Sequence, residues 1–163
     1  MISIRTLSER DWTEWREMRL AALAEAPSAF ASTVAEWTGA GDIEERWRNR
    51  LRTVPLNLLA YLDGQPVGMA GATAPASDRV ELISMWVTPA ARGRGVGDAL
   101  VDAVISWARE HDVARVALDV REANHSAVAL YQRNAFIDVG WASEPTDSFP
   151  ERRLVRELGP ICR

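Results

Sequence analysis

Cysteine is nearly absent from the 163-residue sequence, whose one thiol is Cys162 near the carboxyl terminus. A single cysteine excludes an internal disulfide and a cysteine-based metal site, and it is typical of a protein from the reducing cytoplasm. The sequence also has no apolar run of about 18 residues, the length that a transmembrane helix requires. We therefore expect a cytoplasmic protein with no membrane partner.

Tracts of positive charge are lacking as well. The 19 basic and 23 acidic residues are mixed along the chain, and the net charge is −4. Nucleic-acid binding needs a face rich in lysine and arginine, so no nucleic-acid partner is expected. A mildly acidic surface suits an amine-bearing substrate, although the same charge also serves solubility alone. Neither His111 nor His125 has a second histidine or a carboxylate at ligand spacing, so we predict no metal site.

No internal repeat or linker interrupts the sequence, which predicts a single domain over 1–163. Apolar residues alternate in some segments, as in strands, and recur every three to four positions in others, as in helices. These patterns predict an α/β domain with a mixed sheet and the element order βαα-βββ-α-β-α-ββ. The predicted strands cover 2–7, 56–64, 65–74, 79–87, 113–120, 135–141 and 152–158, and the predicted helices cover 8–25, 42–52, 95–111 and 126–134.

Two local signals support these bounds. Ser8 is placed to cap the first helix, with Asp11 completing a capping box and Leu7 stapling onto Trp12. The dipeptide Asp63-Gly64 between two predicted strands is typical of a type I′ hairpin turn.

The stretch PAARGRGVG, residues 89–97, lies between a predicted buried strand and the start of a predicted helix. Unpaired backbone N–H groups and the helix dipole attract phosphate at such a point, and glycine lets a ligand approach the backbone closely. The stretch is not a P-loop, because Gly97 is followed by Asp98 and Ala99 instead of lysine and a hydroxyl residue. It also lacks the third glycine of the dinucleotide fingerprint, which disfavours a nucleotide-dependent oxidoreductase.

The spacing Arg92-x-x-Gly95-x-Gly97 resembles the acyl-CoA-binding signature of the GNAT superfamily of N-acetyltransferases, Q/R-x-x-G-x-G/A. A second block of that family, N-x-x-A-x-x-L-Y-x-x-x-x-F, is matched by Asn124, Ala127, Leu130, Tyr131 and Phe136. The resemblance implies the GNAT fold, a central mixed sheet of about seven strands flanked by about four helices. It also implies acetyl-CoA as the acyl-donor cosubstrate.

In this family the strand before the glycine loop bulges and splays from the next parallel strand, and the pantetheine arm of CoA enters the gap. By resemblance, the main chain at Met85 and Val87 pairs with that arm, and Asn124 both caps a helix and bonds to the arm. The pyrophosphate is expected on the loop and the first helical turn, at Arg92, Gly93, Arg94, Gly95, Val96, Gly97 and Asp98. The two arginines add charge-assisted contacts, unless both are merely solvated.

The resemblance also assigns two residues to proton transfer. Tyr131 falls on the family's general-acid position, where a phenol protonates the departing thiolate; its alternative role is core packing. Glu81 lies at the offset from Arg92 at which histone-type members carry a glutamate base. Ordered water leading to bulk solvent is the alternative base.

The family builds its acceptor site from the first two helices, the loop between them and the late strands. Here those regions and the central strand hold the aromatic residues Phe30, Trp37, Trp47, Trp86 and Trp141. Beside Glu36 or Glu81 such rings can bind an amine through cation–π contacts, unless most of them belong to the core. The acceptor itself stays open between a small-molecule amine and a protein N-terminus or lysine.

The leading hypothesis is an acetyl-CoA-dependent N-acetyltransferase that passes its acetyl group to a primary amine by direct attack in a ternary complex. The alternative from another class is a binding or regulatory module that keeps the CoA pocket without turnover. The presence of Tyr131 counts against that alternative. Family habit also makes a homodimer an expectation.

Overall fold

The computed structural model describes residues 1–30, 32–142 and 149–160. Within these ranges seven strands form one sheet, namely β1 (Ile2–Thr6), β2 (Leu56–Leu62), β3 (Gln65–Ala72), β4 (Arg79–Val87), β5 (Arg115–Arg121), β6 (Ile137–Trp141) and β7 (Glu151–Glu157). Their order across the sheet is β1-β2-β3-β4-β5-β7-β6. β4 and β5 run parallel, while the other neighbouring pairs are antiparallel. The predicted mixed sheet is therefore confirmed.

The described helices cover both faces of the sheet and are α1 (Trp12–Glu25), α2 (Val34–Trp37), α3 (Glu44–Thr53), α4 (Val96–Glu110) and α5 (His125–Arg133). Neighbouring residues of β2 enter different apolar clusters, Leu58 with α4 and α5, and Leu59 with α1 and α3. Because successive side chains of a strand point to opposite faces, the two helix pairs lie on opposite sides of the sheet. In the described ranges, none of the helices has the length and apolar character that crossing a bilayer demands.

The predicted element order is confirmed, with one addition. The four-residue helix α2 lies in a segment that the sequence predicted as a loop, because four residues are too few to show a helical period. Thr33 caps this helix by accepting a hydrogen bond from the Glu36 N–H at 3.4 Å.

Both local signals are present in the structure. The capping box of Ser8 and Asp11 forms, but it starts a 3₁₀ turn at Glu9–Asp11, after which α1 begins at Trp12. Asp63 and Gly64 have φ values of +51° and +83° between β2 and β3, as a type I′ turn requires.

Asp42 joins α1 to the start of α3. Its carboxylate accepts hydrogen bonds from Arg16 Nε at 2.7 Å and from Trp47 Nε1 at 2.9 Å. The Arg16 guanidinium, and after it the Trp47 indole, lower the pKa of Asp42 from 3.8 to about 2. Because the Trp47 side chain is buried, the second bond also satisfies a polar atom at the edge of the core.

Replacing Asp42 with asparagine is expected to reduce the acid sensitivity of folding. A carboxyl whose pKa is lower in the folded state stabilises the fold above its unfolded pKa, and the stabilisation is lost as the pH falls. For Asp42 the loss runs from about pH 4 down to about pH 2. Urea unfolding at about pH 7 and about pH 3 measures the effect, with the exposed Asp102→Asn as the control. Asp42→Asn should be less stable than the parent at the higher pH and should lose less on acidification; an equal loss contradicts this origin.

Candidate functional site

The strands β4 and β5 separate partway along the sheet. They pair only from Arg79 to Glu81 on β4, opposite 115–117 on β5. Further along β4, Ser84 has a φ of +58°, and the register with β3 shifts at the same place, between Met69 and Gly71. This combination is a β-bulge, which bends a strand and increases its twist. The bulge and the splay implied by the sequence resemblance are therefore confirmed.

A cavity of about 750 Å³ lies at this gap. Its walls come from the last residues of β4, the glycine loop, the first turn of α4, the segment 121–130 and the end of α1. The predicted cofactor residues that line it are Met85, Val87, Arg92, Gly93, Gly95, Val96, Gly97, Asp98 and Asn124. Nearly all of the predicted cofactor set is thus brought together at one cavity.

The glycine loop presents free backbone amides at the start of α4. The amides of Ala91 and Arg92 bond to carbonyls within the loop, whereas those of residues 93–97 have no acceptor among the described residues. Positive φ values of +77° at Gly93 and +86° at Gly95 turn the backbone, which glycine permits without strain. A side chain at Gly97 would put its Cβ 3.0 Å from Leu130 Cδ2, so glycine also lets α4 and α5 pack closely. The amides and the helix dipole form a cradle that fits a diphosphate.

Arg92 is held by partners that sequence reasoning did not identify. Its Nε donates to the Val87 carbonyl at 3.0 Å, and its Nη2 donates to Glu25 Oε2 at 2.8 Å. Trp86 Nε1 donates to the same carboxylate oxygen at 2.8 Å. The Trp86 indole, and after it the Arg92 guanidinium, lower the pKa of Glu25, which lines the cavity. Arg94, by contrast, is exposed and does not line the cavity.

Asp98 joins the start of α4 to α5. Its carboxylate accepts two hydrogen bonds from Arg133 and one from Asn134 Nδ2, all at 2.9 Å. The Arg133 guanidinium lowers the pKa of Asp98. The predicted cofactor residue Asp98 is therefore already paired, and it helps to fix the relative position of the two helices.

Asn124 has its predicted capping role. Its Oδ1 accepts a hydrogen bond from the Ala127 N–H at 3.3 Å, at the start of α5. The Nδ2 group of Asn124 has no acceptor within the described residues, and the residue lines the cavity. Asn124 can therefore cap the helix and donate to a ligand with separate atoms.

Arg121 and Phe149 complete the cavity wall and carry no signal in the sequence. Arg121 donates from Nη1 to the Phe149 carbonyl at 2.8 Å, and its guanidinium lies 4.8 Å from the centre of the Phe149 ring. Its Nε is buried without a partner within the described residues. These two residues meet only in the folded chain, so no motif spacing could have revealed them.

Tyr131 lies behind the cavity wall and not on it. Its ring is buried against Phe136, with 5.7 Å between the ring centres, and its neighbour Leu130 lines the cavity. The hydroxyl has no hydrogen-bond partner among the described residues. Burial raises the pKa of Tyr131. The hydroxyl therefore keeps its proton at neutral pH, as a general acid must.

Glu81 lies where β4 and β5 are still paired and does not line the cavity. Its carboxylate forms an ion pair with Arg153 and a second one with Arg79 at 3.4 Å. The structure therefore does not bring Glu81 and Tyr131 together at the cavity surface.

Several of the predicted acceptor-site rings face arginines. The guanidinium of Arg46 lies 3.9 Å from the Trp37 ring centre, and that of Arg19 lies 4.7 Å from the Phe30 ring centre. Trp141 likewise faces Arg152 at 4.3 Å. These ring faces are occupied by the protein's own cations.

Within the described ranges, no three histidine, cysteine or acidic side chains cluster as a metal site would require. Cys162 lies outside the described residues.

The family model named acetyltransferase (GNAT) family matches residues 7–136, which include β4, the glycine loop and α5. The chain belongs to the GNAT family. This match covers most of the chain, and the bulge, the splay and the amide cradle all lie within it.

The GNAT chain is similar to named acetyltransferases along part of their length. It is 34% identical over 92 residues to the uncharacterized N-acetyltransferase YjgM of Escherichia coli, covering 56% of this chain and 55% of that protein. It is 27% identical over 141 residues to N-acetyltransferase 8 of Homo sapiens, covering 82% and 53%. The chain therefore spans about half the length of these relatives.

The GNAT fold is also evident from solved structures. The PaiA N-acetyltransferase of Thermoplasma acidophilum, solved in complex with coenzyme A, superposes with a TM-score of 0.74 at 19% identity, covering 96% of this chain and 99% of that one. At this identity the likeness shows the fold alone.

Proposed function

We propose that this GNAT protein is an acetyl-CoA-dependent N-acetyltransferase that acts on a primary amine by direct attack in a ternary complex. The observation that carries the proposal is the gap between β4 and β5. Among the described residues, the main chain of β4 has no partner on the β5 side there, and the gap leads to a row of amides without acceptors. A protein that bound only a nucleotide diphosphate would need the amides but not the splayed strands. The combined site suits a long thioester with a diphosphate at one end.

The chain's own groups match the parts of such a ligand. Bound acetyl-CoA supplies an activated acetyl group as a thioester. We propose that the amides of residues 93–97 hold the diphosphate, that the main chain of Met85 and Val87 holds the pantetheine arm, and that Asn124 donates to that arm. Arg92 then turns from the Val87 carbonyl towards the phosphates, which leaves this oxygen free to accept from the arm.

Tyr131 is our proposed general acid. As the amine nitrogen bonds to the acetyl carbon and the carbon–sulfur bond breaks, the sulfur gains negative charge, which a phenol within reach can neutralise with a proton. The hydroxyl of this buried residue has no competing partner in the described chain. Contact with the sulfur requires the α5 wall to shift when the cavity fills, since Leu130 and not Tyr131 lines it.

The amine must also lose a proton, and Glu81 and ordered water are the two candidate acceptors. Glu81→Gln distinguishes them, because glutamine keeps the shape of the side chain and cannot take a proton. A fall in kcat of about 100-fold or more assigns the proton to Glu81, and a change within about threefold assigns it to water. Glu157→Gln, an exposed residue of β7, is the control for the loss of a negative charge.

We also propose that the protein is cytoplasmic and forms a homodimer through β6. This strand is at the edge of the sheet, and it exposes Ile137 by 67% and Val139 by 60%. An exposed apolar edge strand is suited to pairing with another chain. Light scattering that detects only monomer would contradict the dimer.

Calorimetric titration with acetyl-CoA is the first test of the proposed function, followed by thiol release with a panel of amines. Binding with thiol release that depends on an amine supports the proposal. Binding without thiol release for every amine would favour a silent CoA-binding module, and absence of binding would contradict both.

A further inference from the structure

Arg19 on α1 and Arg50 on α3 differ from most other arginines of the protein. More than half of the described arginines form salt bridges with carboxylates. Arg19 and Arg50 are half-buried, yet neither pairs with a carboxylate in the described part of the chain. Half-buried positive charges without negative partners are costly and need an explanation.

The two guanidinium groups lie over rings of the same apolar cluster, on the face of the sheet that α1 and α3 cover. Arg50 lies 4.9 Å from the Trp15 ring centre and donates to Asn57 Oδ1 at 2.5 Å and to Ser84 Oγ at 3.1 Å. Burial lowers the pKa of each arginine to about 10, and the charge of Arg19 also contributes to the shift of Arg50. The pair thus forms a desolvated, positively charged spot.

A structural role accounts for Arg50 but not for Arg19. Arg50 supports the bulge at Ser84 and bonds to Asn57, which is only 1% exposed. Arg19 stacks on Phe30, but its Nη1 is buried without a hydrogen-bond partner within the described residues. An anion between the two arginines would satisfy this atom and neutralise the repulsion.

The arginine pair lies beside the CoA cavity. Arg50 contacts Ser84, whose neighbour Met85 lines the cavity, and Arg19 contacts Phe30, whose neighbour Ala29 lines it too. An anion held by the pair is therefore close to the bulge of β4, where the strands begin to separate.

We propose that Arg19 and Arg50 bind a carboxylate of the acceptor, so that the acceptor is an amino acid or another amine that carries a carboxylate. The proposal rests on the acetyltransferase function above. The pair takes no part in the chemistry; it positions the acceptor and selects for its charge. A guanidinium is suited to this task because its planar donors match the two oxygens of a carboxylate.

The first arm of the test measures turnover. Thiol release is followed with the common α-amino acids and, for each, the matching amino-acid amide, which has the same amine and side chain without the carboxylate. For an accepted substrate, the parent should prefer the acid over the amide by about 10- to 100-fold in kcat/KM. Equal use of the two, or a preference for the amide, overturns the proposal.

Arg19→Gln tests the residue itself, with the exposed Arg10→Gln as the control for the same change of charge. In Arg19→Gln, KM for the acid should rise about 10- to 100-fold, while kcat stays within about twofold and the preference over the amide is lost. Because the variant also removes a half-buried charge that has no acidic partner among the described residues, its unfolding midpoint should not fall. A lower midpoint with an unchanged KM would mean that Arg19 is only structural.

The second arm measures binding without turnover. Malonate, a dicarboxylate without an amine, should raise the thermal midpoint of the parent and of Arg10→Gln, but not that of Arg19→Gln. If no amine is acetylated and malonate still stabilises selectively, the proposed function fails and the carboxylate site stands. Stabilisation by inorganic phosphate alone, or by neither anion, overturns the carboxylate site.

Discussion

Replacing Tyr131 with phenylalanine is expected to lower kcat by about 100- to 10,000-fold, the contribution typical of a general acid. The ring stays the same, so its edge contact with Phe136 should remain. The hydroxyl makes no hydrogen bond within the described residues, so its removal should leave the free energy of unfolding almost unchanged. Thiol-release kinetics and calorimetry with acetyl-CoA measure the two sides of this prediction: turnover is lost while binding is retained.

Tyr61, the other tyrosine of the chain, provides the matched control. Its hydroxyl donates to Glu14 Oε2 at 2.6 Å, on strand β2 and away from the cavity. Tyr61→Phe should therefore lose about 1 kcal/mol of stability and keep its kcat within about twofold. The two variants should show opposite patterns. Unchanged turnover in Tyr131→Phe would remove this residue from the mechanism and leave it a packing role.

Replacing Gly95 with aspartate is expected to weaken acetyl-CoA binding by about 100-fold or more. The change puts a negative charge beside the free amides that are proposed to hold the diphosphate. Space is not the obstacle, because a Cβ at Gly95 would meet only Ile2 Cδ1, at 3.7 Å. Two reasons remain for the weaker binding: the carboxylate repels the phosphates, and a residue with a side chain is strained at the positive φ of this position. Calorimetric titration measures it directly.

Gly159→Asp is the matched control, because it makes the same substitution at a glycine with a positive φ outside the loop. Gly159 also has a positive φ, of +72°, with open space around its Cβ. It follows Leu158, whose carbonyl accepts from Arg109 near the far end of α4. The control therefore carries similar backbone strain and the same charge, and it should bind acetyl-CoA as the parent does. Equal weakening in the two variants would contradict a special role for the amides at Gly95.

The predictions from sequence that proved most accurate concern features encoded in short stretches. The change from alternation to helical period marks the start of α4, and two glycines with positive φ lie in the loop before it. The bulge of β4 could be expected only from the family resemblance, because nothing in the sequence around Ser84 indicates that this residue has a positive φ. The helix α2 was missed because four residues show no period.

The pairing of charges could not be predicted in the same way. Glu25 and Arg92 are 67 positions apart, and Glu81 and Arg153 are 72 apart. A carboxylate expected to be an available base is therefore found in two ion pairs, with Arg79 and Arg153. Arg19 and Arg50, by contrast, have no acidic partner in the described chain. No local sequence pattern predicts this, because it depends on which distant residues pair with each other.

The sequence by itself determined the order of strands and helices, the glycine loop and the type of ligand that the loop suits. The spacing of apolar residues and the position of a glycine involve only residues close together in the chain, so both can be recognised in the sequence. Only the tertiary structure decided that Tyr131 lies one layer behind the cavity wall and that Arg121 and Phe149 complete this wall. It also decided that two arginines beside the wall have no acidic partner among the described residues. These features depend on how separate elements pack. Burial and electrostatic pairing are set by neighbours in space, and those neighbours are often far apart in the sequence.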